Sequence, residues 1–461
     1  MNGNDIAGLV GGQREFFAGG GTRRLEARTE ALDKLQGLLR EGEAELLAAV
    51  KADLGKPETE AYLSEIAFVE GEISFIRKRL KSWSRPRRVR TGWLTFPASG
   101  RVYPTPYGTS LIIGPWNYPI QLLLAPLVGA LAAGNTAVLK PSELAPATSR
   151  TLARLIGQRF DPRLLAAVEG GAETAGELLG QPFDYIFYTG SSRVGRIVAA
   201  AAAANLTPVT LELGGKNPCL LDRGFDLKLA ARRIAWGKFF NAGQTCVAPD
   251  YLLIPRELEK QFLDEFGAAV RSFYGDDPRQ SPDYGRIVNE KHLGRLTGLL
   301  EGVEIVLGGG SDPAELYLAP TVVRSVPAGH PFLEEEIFGP ILPVLTYRSL
   351  DEALDFVNLR PRPLAFYFFS SDRKRQRRVI AGTASGGVCL NDTVSQILPP
   401  ALPFGGVGKS GMGSYHGKAS FETFSRPRSV LSRSTRLDPR FRYPPYRTPL
   451  KTLKKIARWI S

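Results

Sequence analysis

The stretch Thr109-Ser-Leu-Ile-Ile-Gly-Pro-Trp-Asn-Tyr-Pro119 decides how this 461-residue chain is read. Its first five residues form a short β-rich run suited to a strand buried on both faces, and Gly114 and Pro115 end it. Working outward, the text alternates: a helix near 119–133, Thr136-Ala-Val-Leu-Lys140, a helix near 147–159 and Leu165-Ala-Ala-Val168. A short helix near 172–179, Tyr185-Ile-Phe-Tyr188, an Ala-rich helix near 192–205 and Pro208-Val-Thr-Leu-Glu-Leu213 continue the series. Strand and helix in turn predict a parallel sheet covered on both faces, a doubly wound α/β domain. A second α/β run from 226 to about 400, with Tyr251-Leu-Leu-Ile254 as one strand, predicts a second such domain. Two or three domains are what this length requires.

The flanks read differently. Residues 22–82 carry helical spacing, as in Leu32, Leu35, Leu38, Leu39 and again in Ile66, Val69, Ile73, Ile76. Between 83 and 105 the chain turns basic and Pro-punctuated, with Thr91, Trp93, Leu94 and Val102 offering edge-strand residues of a protruding hairpin. The formal charge of +13 sits mostly at the far end, where Ser425 to Ser461 holds eleven Lys and Arg against Asp438. The body is nearly neutral, which argues against nucleic acid as a partner. Pro444 and Pro445 bar a regular helix. Beyond them Leu450, Leu453, Ile456 and Ile460 share one helical face opposite Lys and Arg, a basic amphipathic tail able to lie on an anionic membrane or dock on its own subunit.

Composition sets the compartment. Hydrophobic content of 43%, no apolar run of membrane-spanning length and no charged-then-apolar start predict a cytoplasmic protein. Cys219, Cys246 and Cys389 are odd in number and far apart, which argues against disulfides and against a zinc site. Only three histidines occur, so acid/base work is expected of carboxylates.

Six segments carry chemistry, each with a plain structural reading beside it. Asn117 at a strand end can present its side-chain N–H to a developing oxyanion, worth about 2.7–4 kcal/mol in comparable sites, or simply stabilise a turn between two prolines. Lys140-Pro-Ser-Glu143 can hold ribose hydroxyls, the acidic group repelling a 2′-phosphate, or can cap a helix. Thr189-Gly-Ser-Ser-Arg-Val-Gly195 faces a helix N-terminus that favours a pyrophosphate, or is a capped helix entry. Glu212, between Leu211 and Leu213, is a base with its pKa raised by desolvation unless it points to solvent. Cys246, closing Asn241-Ala-Gly-Gln-Thr-Cys, is a reactive thiol or a buried structural one. Glu336, in Glu334-Glu-Glu-Ile-Phe-Gly-Pro340, is a further carboxylate beside an aromatic ring, or part of a solvated acidic run.

Taken together, Pro115-Trp-Asn-Tyr-Pro, Lys140-Pro-Ser-Glu, Thr189-Gly-Ser, Leu211-Glu-Leu-Gly-Gly-Lys, Gly243-Gln-Thr-Cys and Glu335-Glu-Ile-Phe-Gly-Pro resemble the aldehyde dehydrogenase superfamily, in its order and over nearly the whole chain. Gly243-Gln-Thr-Cys-Val-Ala-Pro-Asp-Tyr251 and Pro403-Phe-Gly-Gly-Val-Gly-Lys-Ser-Gly-Met-Gly-Ser-Tyr-His-Gly-Lys418 resemble its class 3, fatty and aromatic aldehyde branch, whose members are mostly homodimers.

The resemblance implies a Rossmann-type cofactor domain over 1–85 and 105–210 and a catalytic domain over 211–410. Bridging or oligomerisation segments would span 86–104 and 411–443, and the basic tail 444–461. It implies Cys246 as nucleophile, Glu212 as general base, and Asn117 with the Cys246 backbone N–H as oxyanion hole. Lys140 and Glu143 would hold the adenosine ribose, and Gly190, Ser191 and Val194 would line the pyrophosphate site. Glu336 would bind the nicotinamide ribose, with Phe338 beside the nicotinamide; Trp116, Gly195, Leu213 and Gly214 complete the cofactor set. NAD or NADP would accept hydride from a thiohemiacetal on Cys246, and water activated by Glu212 would release the acid. Gln396 departs from the pattern, standing where relatives often place His. The rival expectations are transfer of the acyl group to coenzyme A, which the retained Glu212 opposes, and a catalytically silent dinucleotide-binding or membrane scaffold.

Overall fold

The computed structural model describes residues 3–92, 95–438 and 442–460. The expected edge residues Trp93 and Leu94, the tail residues Arg440 and Phe441, and the side chains of Ile456 and Ile460 lie outside the described residues.

The opening strand, Thr109–Ile113, lies inside a six-stranded sheet with all five of its residues buried. The order across that sheet is Leu165–Ala167, Thr136–Lys140, Thr109–Ile113, Tyr185–Thr189, Val209–Glu212 and Gly411–Met412. The first five strands pair in parallel, third, second, first, fourth and fifth in chain order. Chain direction across the sheet therefore reverses between Thr109–Ile113 and Tyr185–Thr189. The crevice at their carboxyl ends is the topological switch point where doubly wound sheets bind ligands.

Helix Gln121–Ala133 is apolar on every side and wholly buried, as expected of a helix packed between a sheet and other helices. Helices Leu25–Glu41 and Ala67–Trp83 cover it with the predicted leucine and isoleucine faces. A helix over Gly3–Ala18 precedes the predicted helical region. Its glycines disfavour a helix locally, but Ile6 and Val10 are buried against the sheet, so tertiary burial overrides propensity.

The second sheet runs Glu304–Leu307, Thr321–Arg324, Ile341–Tyr347, Tyr251–Pro255, Pro218–Leu221, Ala365–Phe369 and Gly387–Leu390. It is parallel apart from Glu304–Leu307, which closes one edge antiparallel to Thr321–Arg324. A third sheet pairs Arg87–Val89 with Ala98–Pro106 and that strand with Ser425–Arg433, all antiparallel. The expected bridging segment 411–443 divides between two sheets, with Ser425–Arg433 in this one. Gly411–Met412 instead extends the first sheet beside Leu211 and Glu212, while Tyr415, Phe421 and Phe424 bury their rings in the first core. The aromatic residues, not chain position, decide where that segment belongs. Among the described residues no helix is long and apolar enough to cross a membrane.

Candidate active site

Cys246 follows helix Leu227–Phe239 through a turn in which Asn241, Ala242 and Gly243 all take positive φ, at 54°, 50° and 72°. Two non-glycine residues in that region is strain, and it persists only where surroundings fix it. Here they do: Gln244 Nε2 donates to Asn241 O (3.1 Å) and Arg286 O (2.9 Å), and Asn217 Nδ2 donates to Cys246 O (2.7 Å). Gly243 is obligatory for a second reason, since a Cβ there would overlap the Gly339 carbonyl.

Asn117 follows the switch-point strand and sends Nδ2 to Gln244 O at 2.9 Å, on the loop that carries Cys246. One N–H of the amide is thereby held and the other remains to donate. Glu212 ends its strand only 3% exposed, and neither carboxylate oxygen has a hydrogen-bond partner among the described residues. Burial holds its pKa well above the carboxylate range. Glu212 is therefore desolvated, as expected, and the solvent-facing alternative fails. Burial, followed by the nearby Glu336 and Glu212 charges, also pushes the Cys246 thiol up. A thiol raised in this way needs a nearby base if it is to react as a thiolate.

Two cavities of about 650 Å³ each meet at this residue. One lies over the switch point. Trp116, Asn117, Gly190, Ser191, Glu212, Leu213, Gly214, Glu336 and Phe338 line it, all of them residues expected from the sequence. The other cavity opens on the opposite side of Cys246 and is walled mainly by apolar and aromatic residues, among them Leu122, Trp236, Phe240 and Phe404.

Four expected cofactor residues do not line the first cavity. Lys140 is buried at its strand end, donating to Pro141 O (2.7 Å) and paired with Glu143 (3.3 Å). Val194 donates its N–H to Ser191 Oγ (3.4 Å), the cap of helix Ser192–Ala204, and Gly195 lets Leu213 approach to where a Cβ would be 2.8 Å away. These last two shape the helix entry rather than its open surface.

The first cavity fits a dinucleotide on its own evidence. Thr189 Oγ1 and Glu336 Oε1 are buried without hydrogen-bond partners among the described residues, and a Cβ at Gly214 would fill the space beside the Glu336 carboxylate. Glu336 is pushed up to about 8, chiefly by burial. Its loop is anchored, because Asp250 Oδ1 accepts from Ile337 N (2.9 Å) and Lys216, paired with Asp250, donates to Glu335 O (2.9 Å). Phe338, at φ 51°, meets the edge of Trp116 with ring centroids 5.4 Å apart.

Sequence reading missed His292 and Arg295 in this cavity and most of the apolar one. Tyr118, Thr245, Val247, Phe404, Tyr415 and His416 stand inside the quoted motifs, with no signal there that places them at a cavity wall; the Tyr118 OH is 2.6 Å from Thr245 Oγ1. Gln396 does not line either cavity and donates to Tyr367 OH (3.1 Å), while its successors Ile397 and Leu398 do face the apolar side.

Residues 9–430 match the sequence profile described as the aldehyde dehydrogenase family. The chain belongs to that family. It is 48% identical over 443 residues to 4,4'-diaponeurosporen-aldehyde dehydrogenase of Staphylococcus aureus, covering 96% of each chain. To aldehyde dehydrogenase family 3 member A2 of Macaca fascicularis it is 47% identical over 434 residues, 94% of this chain and 90% of that one. A substrate-bound structure of Staphylococcus aureus AldH superposes with a TM-score of 0.96 at 46% identity, over 98% and 99% of the two chains. An indole-3-acetaldehyde dehydrogenase complexed with NAD+ superposes at 0.86 and 26% identity, over 94% and 90%. The enzyme is accordingly an NAD(P)-dependent oxidoreductase that takes aldehydes to acids. Neither the coenzyme A reading nor the silent scaffold is favoured by these relatives.

Proposed function

We propose that the enzyme oxidises apolar aldehydes, of medium to long aliphatic chain or aromatic, through a covalent bond to Cys246. The position of Cys246 where an apolar cavity meets a dinucleotide-shaped one carries this reading. An aldehyde tail in the apolar cavity brings its carbonyl to the thiol. Glu212, desolvated and without a hydrogen-bond partner among the described residues, takes the thiol proton as sulfur adds to the carbonyl carbon. The free N–H of Asn117, with the Cys246 backbone N–H, stabilises the oxyanion of the thiohemiacetal.

Bound NAD or NADP supplies the hydride acceptor that makes the thiohemiacetal a thioester. Glu336 and Phe338 would hold its nicotinamide end, Gly190, Ser191 and the helix they open its pyrophosphate, and Lys140 with Glu143 its adenosine ribose. Glu143 favours NAD, since a 2′-phosphate would meet its charge. Glu212, having released its first proton to solvent, then deprotonates a water that attacks the thioester, and the acid leaves.

A panel of aliphatic lengths and aromatic aldehydes run with each cofactor, followed by absorbance of the reduced nicotinamide, tests the substrate class. Faster turnover of short, charged aldehydes than of long apolar ones would overturn it. We further propose a cytoplasmic homodimer joined through the three-stranded sheet, whose strand Ser425–Arg433 is exposed over most of its length. The basic helix Leu450–Ile460 would touch anionic membrane surfaces. Light scattering of the intact enzyme, and liposome sedimentation with and without residues 440–461, check these two points.

A further inference from the structure

Lys56 and Glu65 form an ion pair at 2.7 Å with both side chains 0% exposed, and the chemistry above does not use either. Buried pairs of this kind are weak contributors to stability, because desolvation cancels much of the attraction. Their remaining hydrogen bonds show where they act. Lys56 Nζ donates to Asn117 O (3.1 Å) and sits 4.0 Å over the Tyr118 ring. Glu65 Oε2 accepts from Ile120 N (3.0 Å) and Gln121 N (2.9 Å), at the start of the buried helix. Two side chains from a distant part of the sequence thus hold segment 117–121 at four points, residues 117, 118, 120 and 121.

The same short stretch reaches the nucleophile loop. Glu60 Oε1 accepts from Asn241 N (2.8 Å), the first residue of the strained turn, and Asn241 Nδ2 in turn donates to Asn117 O (2.9 Å). Glu65 lies in a π-helical turn, Tyr62–Ile66, an irregularity frequent at functional sites.

We propose that Lys56 and Glu65 are positioning residues for the oxyanion amide, fixing Asn117 against the Cys246 loop. The inference rests on the oxyanion role given to Asn117 above. A displacement of about 1 Å at such a group can cost on the order of a hundredfold in rate. Lys56→Met should therefore lower kcat by about tenfold to a hundredfold. The KM for the aldehyde, the cofactor affinity and the rate of Cys246 alkylation by iodoacetamide should stay within about twofold, the scatter of near-additive sites.

The deciding experiment is a double-mutant cycle with Asn117→Ala. If Lys56 acts through Asn117, Lys56→Met should change kcat by less than about twofold in the Asn117→Ala background. Equal losses in both backgrounds, or no loss in the wild-type background, overturn the proposal. Should Lys56→Met fail to fold, Glu65→Gln goes through the same cycle under the same criteria, being isosteric and keeping an acceptor for the Ile120 and Gln121 N–H groups. If Asn117→Ala alone leaves kcat unchanged, the oxyanion role falls and the positioning role with it. If Asn117→Ala is slow while the pair variants are not, only the positioning role falls.

Discussion

Two cavities of equal size meet at Cys246 and are built by opposite means. The one over the switch point is assembled from strand ends and glycines, with buried carboxylate oxygens of Glu212 and Glu336 left without partners among the described residues. The other is assembled from aromatic and aliphatic side chains of widely separated segments, including Phe68, Trp236, Phe273, Leu398 and Phe404. A dinucleotide needs donors, acceptors and close backbone approach at fixed points, which restricts residue types. An apolar tail needs only volume and a dry wall, which many side chains supply. Chemistry is fixed on one side and selectivity is free to vary on the other.

The contrast fails most sharply if the thiol proves dispensable. Cys246→Ala should abolish reduced-nicotinamide formation, a loss of about 10⁴-fold or more, with cofactor affinity preserved; retained turnover would dismiss the nucleophile. Glu212→Gln should lower steady-state kcat by about 10²–10⁴-fold while a first-turnover burst persists if solvent can take the thiol proton. Because burial holds Glu212 above the usual carboxylate range, wild-type kcat should climb with pH on the acid side, and the variant should lose that limb. A variant keeping both rate and limb would assign the base elsewhere.

On the apolar side effects are smaller. Phe404→Ala should raise KM for long-chain aldehydes by roughly 10-fold and leave short ones nearly unchanged, as removal of apolar contact in a pocket does. A uniform change across chain lengths would mean that the wall does not read the tail.

The smallest expected effect concerns His416, which lines the apolar cavity and is lowered to about 3 by burial from the ordinary 6.5. Below pH 6.5 the unfolded chain takes up a proton that the folded one refuses until about 3, so His416 makes stability fall as pH drops through that window. Glu72, raised to about 7 by burial, acts with the opposite sign from 4.5 to 7, so variants must be compared at matched pH. His416→Phe should reduce the acid loss of Tm by roughly 2–4 °C. Identical Tm slopes would show that another group carries the acid sensitivity.

The same contrast explains what was legible in the sequence. Strand ends such as Ile113, Lys140, Thr189 and Glu212 could be placed because turn residues mark them and the chemistry demands particular side chains there. Glu212 could be read as desolvated from Leu211 and Leu213 alone. Tyr415 and His416 could not be assigned a cavity, since their placement depends on Gly411–Met412 joining the first sheet, a pairing between residues about 200 apart in the chain. The Lys56–Glu65 pair was illegible for a similar reason: nothing local marks a lysine as buried.

The close approach of Gly243 to the Gly339 carbonyl sets a rule for redesign. The loop that presents Cys246 rests directly on the loop that carries Glu336 and Phe338, so neither can be remodelled alone. If Lys140 and Glu143 hold the adenosine ribose as proposed, attempts to exchange NAD for NADP should begin there, since the Lys140 ammonium donates to Glu143 and Pro141 O and does not touch the Cys246 loop. There the preference for one dinucleotide can be rewritten while the sulfur stays where it is.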